Sequence, residues 1–300
     1  METAQPPSFV FFHYGRLPKY LRFAVESVRS SNPEAGIILV SEHTPDWKDE
    51  YQVECRSFAS LPSEKLERFK KSYRHISVFD EFYERFVLER WYMLETLRQE
   101  LGGRTLFLVD SDVMVFGDVS PFLAQLGDKH LYCCGWSPHF SVIRGPLDGF
   151  LDHILSRYTD EEYLANAQRL HDEARKKKQL KTLGEMQLFY EYISSGQDGQ
   201  QYDKISCAGY LDINIHVPDG FVSAKAGRRT VKCVRWEQQD GRLVPTLKRE
   251  DSGEVIPALM LHFQGPAKKR MRSFNPWPAP AGPVTGFKRW LLKRTLPDWA

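Results

Sequence analysis

A chain of 300 residues, 42% hydrophobic and 13% aromatic, carries enough apolar material for one large core, or for one domain with an appendage. Its formal charge of +2 excludes the global electrostatic signature of a nucleic-acid binder, so any basic patch has to be local. The five cysteines, Cys55, Cys133, Cys134, Cys207 and Cys233, are odd in number and lack paired metal-ligand spacing; they support neither a disulfide framework nor a zinc site, and a reducing, cytoplasmic compartment fits them best.

The chain opens without a basic n-region or a cleavable apolar segment, so export by a standard signal is not expected, and no apolar run is long enough to span a bilayer. Residues 9–12 read as a strand that breaks at His13-Tyr14-Gly15. Leu17, Leu21, Ala24, Val25 and Val28 then recur at helical spacing until Asn32-Pro33, and residues 37–40 form a second uninterrupted apolar strand. This β-α-β opening predicts an α/β fold, a mostly parallel central sheet flanked by helices. A long helix over about residues 79–101 carries Phe82, Phe86, Met93, Leu94 and Leu97 on its apolar face and stops at Gly102-Gly103.

Strand 105–109 follows, and it ends in Asp110-Ser111-Asp112. Side chains in an extended chain repeat every two residues, so the two aspartates project to one side at the carboxyl end of the strand. Ligands of α/β folds bind at that end, and paired hard oxygens suit Mn²⁺ or Mg²⁺ carrying a diphosphate. The competing reading is a pair of aspartates that merely closes a strand in a turn. Beyond it come an extended stretch 113–116, a helix near Pro121 and a strand 131–134 ending at Gly135. Residues 159–181 read as one solvated helix with a Thr159…Glu162 capping box. A second helix starts after Gly184 and puts Glu185 in its first turn. Residues 230–263 are strand-like, with Asp240-Gly241 and Ser252-Gly253 as turns, and the last strand, 258–261, delivers His262.

Three further features bear on the acidic pair. Arg90 falls on the apolar stripe of the long helix, where a buried guanidinium needs an anionic partner, either a structural carboxylate or a nucleotide. His262, Gly265 and Lys268 follow the last strand. A strand-end histidine completes a metal site, a glycine lets backbone approach a phosphate, and a lysine neutralises diphosphate charge. Glu185 is either a first-turn acid favoured by the helix dipole, or a base or acceptor-binding group.

In this order the residues resemble a nucleotide-sugar-dependent glycosyltransferase of the GT-A fold, over roughly residues 8–270. Asp110-Ser111-Asp112 corresponds to the metal-binding Asp-x-Asp, Gly135 to the glycine loop, Glu185 to the acidic position and His262 to the C-terminal metal-binding histidine. The stretch from Leu106 to Phe122 and the spacing His262, Gly265, Lys268 look most like family-8 glycosyltransferases. The family's Pro-Trp after the lysine is replaced by Lys269-Arg270, and Gly135-Trp136-Ser137-Pro138-His139-Phe140 stands where its Asn-Ala-Gly segment would be.

The resemblance implies a GT-A domain over residues 1–265 and a metal site of Asp110, Asp112 and His262. It also implies donor contacts from Tyr14, Arg90, Asp110, Ser111, Gly135, Gly265 and Lys268, with uridine as the nucleobase. Glu185 would act as acceptor base if the reaction inverts, and would orient the sugar or acceptor if it retains. A haloacid-dehalogenase-like phosphatase is the alternative, since residues 107–113 also fit its first motif; a nucleotidyltransferase and a non-catalytic sugar-nucleotide module are further ones. Residues 266–300 form a basic tail in which Trp277, Phe287, Trp290, Leu291 and Leu292 are interspersed. Such a segment suits an anionic membrane surface and a lipid-linked acceptor, at the inner membrane face of a cytoplasmic protein, or else it docks on its own domain.

Overall fold

The computed structural model describes residues 5–179, 181–226, 228–239 and 242–275. The predicted opening is present as β1 (Ser8–His13), α1 (Lys19–Ser31) and β2 (Gly36–Ser41), with β3 (Val53–Arg56) beside β2. Helices α2 (Glu64–Ser72) and α3 (Glu81–Glu100) lead to β4 (Leu106–Val109), β5 (Val113–Val115) and α4 (Ser120–Gln125). After β6 (Leu131–Cys134) and β7 (Ser137–Ile143) come α5 (Asp148–Thr159), α6 (Glu161–Lys176) and α7 (Glu185–Ser195). The rest is mostly β: β8 (Gly199–Tyr202), β9 (Ile205–Ser206), β10 (Gly209–Leu211), β11 (Ser223–Ala226), β12 (Arg229–Lys232), β13 (Val234–Gln239), β14 (Arg242–Lys248) and β15 (Val255–His262). A 3-10 helix, Gly265–Phe274, follows.

The central sheet has the order β3-β2-β1-β4-β7-β6-β8, parallel throughout except for β7, which runs against both neighbours. This is the α/β architecture, mostly parallel and covered by helices, that the sequence predicts. Alternation along each strand feeds two cores. Phe9, Phe11, Ile37, Leu39, Phe107 and Val109 point into one with α1, and Val10, Phe12, Ile38, Val40, Leu106 and Leu108 into the other with α3, α5 and α7. Burial on both faces is why these strands read as unbroken apolar runs.

A second sheet, β13-β14-β15-β10-β9, takes β5 onto β15, so the chain changes sheets across Asp110-Ser111-Asp112. The antiparallel pairing sets His262 opposite Val113 and Leu261 opposite Met114, which carries the end of β15 to the turn after β4. The hairpin β13–β14 is present, with Gln239 facing Arg242; its turn residues, Asp240 and Gly241, lie outside the described residues.

Three local expectations are corrected. Residues 159–181 are not one helix. Thr159 ends α5, its hydroxyl donating back to the Leu155 carbonyl at 3.0 Å, and Asp160 caps α6 by accepting from the Glu162 and Tyr163 N–H groups, both at 3.0 Å. On α3 the buried face runs through Leu88, Trp91, Tyr92, Leu94 and Leu97, whereas Phe82 is exposed and packs on Tyr14. Strand β7 is an element that the sequence reading omits, and it begins two residues after Gly135, which itself stays in a turn. Pro138 there argues against a central strand, but it sits beside the irregular register of the β6–β7 pair rather than in the regular ladder.

Residues 266–274 of the basic segment, in the 3-10 helix, pack on the domain: Ala267, Met271 and Phe274 join the core beside α1. Residues 276–300, with Trp277, Phe287, Trp290, Leu291 and Leu292, lie outside the described residues. Among the described residues no helix is long and apolar enough to cross a membrane.

Candidate active site

The site is built where β4, β15 and α3 meet the start of α7. Asp110 and Asp112 leave the end of β4, His262 ends β15, and one ligand atom from each lies within 4.8 Å of the other two. The Nδ1–H of His262 donates to the Ile213 carbonyl at 2.8 Å, which turns Nε2 toward Asp112 Oδ1, 3.5 Å away. Lys268 Nζ, from the 3-10 helix, stands 3.1 Å from Asp112 Oδ2. Burial pushes the Asp112 carboxyl up, but His262 and Lys268 outweigh it and hold the group at about 2. Two carboxylates and one imidazole are a donor set that Mn²⁺ or Mg²⁺ accepts. The chemistry of these three side chains therefore fits a divalent cation.

Arg90 meets the need for an anionic partner that its sequence position raises with two carboxylates. Nη1 donates to Asp110 at 2.8 Å, while Nε and Nη2 fork onto the two oxygens of Glu185 at 3.0 Å each. Burial opposes the guanidinium charge, but Glu185 and Asp110 together outweigh it and keep Arg90 firmly cationic. Trp91 Nε1–H completes the shell of Glu185 at 2.6 Å. The Glu185 carboxylate is buried and engaged on both oxygens, and burial lifts its pKa above the ordinary range against the pull of Arg90. It shares that one cation with Asp110.

The remaining expected residues surround this centre. Ser111 occupies the turn between the aspartates. Gly135, at φ +58°, makes the β6–β7 turn, and a Cβ there would lie 2.7 Å from Ile213 Cδ1. Gly265, at φ +63°, turns the chain from β15 into the helix that carries Lys268. Tyr14, half exposed, belongs to an aromatic group, its ring centroid 4.1 Å from that of Phe82 and 6.0 Å from that of Phe86.

Sequence reasoning passes over Tyr83. It lies seven residues before Arg90, two turns away on the same helix face. Its residue surface is 57% exposed, yet its pKa is raised, by burial first, and the charges of Arg90, Asp110 and Glu185 act on it. The seven-residue spacing from a stripe arginine is the signal that could have found it.

No family model matches the chain, and no curated protein matches it. Solved structures do. The apo-form glycosyltransferase GlyE of Streptococcus pneumoniae TIGR4 is similar over 71% of this chain and 48% of its own, at 14% identity and a TM-score of 0.36. This chain thus spans about half the length of that structure. Mouse xyloside xylosyltransferase 1 is similar over 65% of this chain and 83% of its own (12% identity, TM-score 0.40). The galactosyltransferase LgtC, solved with donor and acceptor sugar analogs, is similar over 96% of this chain and 95% of its own (12% identity, TM-score 0.37).

Proposed function

We propose that this protein is a metal-dependent glycosyltransferase that moves a sugar from a nucleotide-sugar, with UDP as the nucleotide, to a glycan or lipid-linked acceptor. The observation that carries this reading is the convergence of Asp110 and Asp112, after the end of β4 in the mostly parallel sheet, with His262, at the end of β15 in the second sheet, into one cation-sized cluster. A divalent cation bound there supplies charge neutralisation for a diphosphate and helps its departure.

The protein's own groups complete the arrangement. Lys268 brings a further positive charge to Asp112, at Oδ2, where it would meet charge developing on a leaving phosphate. Arg90 fixes the Asp110 carboxylate and leaves its second oxygen free of the guanidinium. Glu185, with both oxygens occupied, orients Arg90; it reaches an acceptor hydroxyl as a base only by giving up part of that fork. An orienting role, as in retaining transfer, fits its bonding better than a free base does. Tyr14, beside the end of β1, offers a partly open ring to a nucleobase.

The test is a panel of nucleotide sugars incubated with Mn²⁺ and with chelator, on the intact protein and on Asp112→Asn. Metal-dependent consumption of one donor, lost in the variant, is the expected result and names the sugar. Absence of donor consumption together with metal-dependent phosphate release from simple phosphoesters moves the protein to the phosphatase class. A lipid-linked acceptor would place the basic tail at an anionic membrane face. Flotation with anionic vesicles that does not change in Trp290→Ala/Leu291→Ala removes that part of the proposal.

A further inference from the structure

Behind the metal cluster lies a set of buried polar groups that none of the steps above uses. The ring of His139 lies flat on that of His262, with centroids 4.3 Å and planes 11° apart, and His139 is 0% exposed. Its Nε2–H donates to the Asp212 carbonyl at 3.0 Å, which makes Nδ1 an acceptor; that atom is buried and has no partner among the described residues. The Asp212 carboxylate accepts the backbone N–H of His262 on Oδ2 at 3.1 Å, and Lys232 Nζ on Oδ1 at 2.7 Å. Both members of that ion pair are 0% exposed. Lys232 also donates to the Asn214 carbonyl at 2.8 Å, and the Ile213 carbonyl holds the Nδ1–H of His262.

His262 is therefore gripped from three sides: one neighbour holds its backbone, the next holds its ring nitrogen, and a stacked imidazole fixes its ring plane. For stability alone this is a poor use of the space. A buried ion pair is commonly no better than apolar residues of the same volume, and the His139 ring leaves its own Nδ1 as a buried acceptor without a partner among the described residues. What the polar version supplies is direction. The backbone carboxylate contact and the ring N–H contact leave Nε2 as the only imidazole atom free to ligate, and they aim it at Asp112. Outer groups that fix the tautomer and orientation of a histidine ligand change metal affinity by about 10- to 100-fold when removed.

We propose that His139, Asp212 and Lys232 form a positioning network for His262 that sets the affinity of the cluster for a divalent cation. The inference rests on the metal reading given under Proposed function and extends it to residues that touch no substrate.

The experiment is titration of Mn²⁺, read from the paramagnetic resonance of the free ion, against four full-length proteins: the parent, Asp112→Asn, His139→Phe and Asp212→Leu/Lys232→Met. Each is also melted with and without Mn²⁺. The phenylalanine keeps the stack, and the double substitution removes both charges together, so neither leaves a buried charge unpaired. Both are expected to melt within a few degrees of the parent without metal and to bind Mn²⁺ about 10-fold more weakly or worse, with a correspondingly smaller melting shift on adding Mn²⁺. Parent-like Mn²⁺ affinity in His139→Phe and the double variant, whatever their melting temperature, overturns the inference and leaves the network a packing feature. If the double variant does not fold, His139→Phe decides alone. A parent that does not bind Mn²⁺, or binds it no better than Asp112→Asn, overturns the metal reading itself and the inference with it.

Discussion

Replacing Arg90 with methionine tests the charge balance of the site. The arginine side chain is 7% exposed and Glu185 9%, whereas Asp110 is 31% exposed and can fall back on water. Loss of the Asp110 contact is therefore the minor part, worth less than about 1 kcal/mol. Loss of the fork leaves Glu185 with the Trp91 N–H as its remaining partner, and an unpaired buried carboxylate costs about 3–5 kcal/mol. Burial already raises the Glu185 pKa, and without Arg90 it rises further. A carboxyl whose folded pKa lies above its unfolded value binds more protons when folded, so stability increases as pH falls through the folded pKa towards about 4.3. Parent and variant both take up this proton on folding below about pH 7, so the deficit of Arg90→Met changes only above the parent's folded pKa of about 7: it is largest near about pH 9 and shrinks as pH falls to about 7. Adding Glu185→Gln removes the stranded charge while keeping an acceptor for Trp91, and recovers about 2 kcal/mol or more, a coupling typical of groups in one network. Urea unfolding of the two variants and the parent at both pH values measures these differences. A single variant within about 1 kcal/mol of the parent near about pH 9, a deficit that does not shrink from there to about pH 7, or a double variant no more stable than the single one refutes the argument.

Gly135→Ala forces a side chain into a backbone at φ +58° and sets its Cβ 2.7 Å from Ile213 Cδ1. The left-handed strain alone costs about 1–2 kcal/mol, read as a melting temperature lower by a few degrees; an unchanged melt contradicts the close approach. Glu191 is pushed up by burial but held at about 2 by His153, Gln187, Tyr163 and Arg157. Its folded pKa is depressed, so its contribution is present above about pH 4.3 and fades as pH falls towards 2. By linkage Glu191→Gln removes at most about 3 kcal/mol of acid-induced destabilisation over that window. Parent and variant losing stability in parallel from about pH 5 downward would show that the carboxylate carries no such share.

How much of this site was legible follows from where its residues sit along the chain. Asp110, Asp112 and His262 stand at the ends of apolar strands, and a polar residue that closes such a run is visible because the run defines the end. Arg90 was visible as a charge on an apolar helix stripe, though not the fact that one guanidinium answers two carboxylates 95 and 20 residues away. The central sheet was legible for the same reason, since strands buried on both faces leave unbroken apolar runs. Strand β7 was hidden by Pro138, and the break between α5 and α6 by two adjacent residues, Thr159 and Asp160, that are both good caps.

Lys232 and Asp212 show what local pattern leaves out and how it could be recovered. Each interrupts an apolar stretch, Thr230-Val231-Lys232-Cys233-Val234 and Tyr210-Leu211-Asp212-Ile213, and each reads alone as an ordinary solvent-facing strand residue. Burial cannot be inferred from one of them, because a buried charge is tolerated only with its partner. Taken together, two opposite charges embedded in separate apolar segments each supply the condition the other needs. Pairing them would have placed residues 210–214 against residues 230–234 before any fold was drawn. What no pairing rule on charges supplies is the stack of His139 on His262, because two histidines far apart in sequence advertise no contact with each other. That contact exists because β5 pairs with β15 while β4 pairs with β7, two long-range registers that meet at the Asp110–Asp112 turn. The part of the site that aims His262 is thus a product of sheet register, and it was accessible to sequence reasoning only through the buried Lys–Asp pair that the same register brings together.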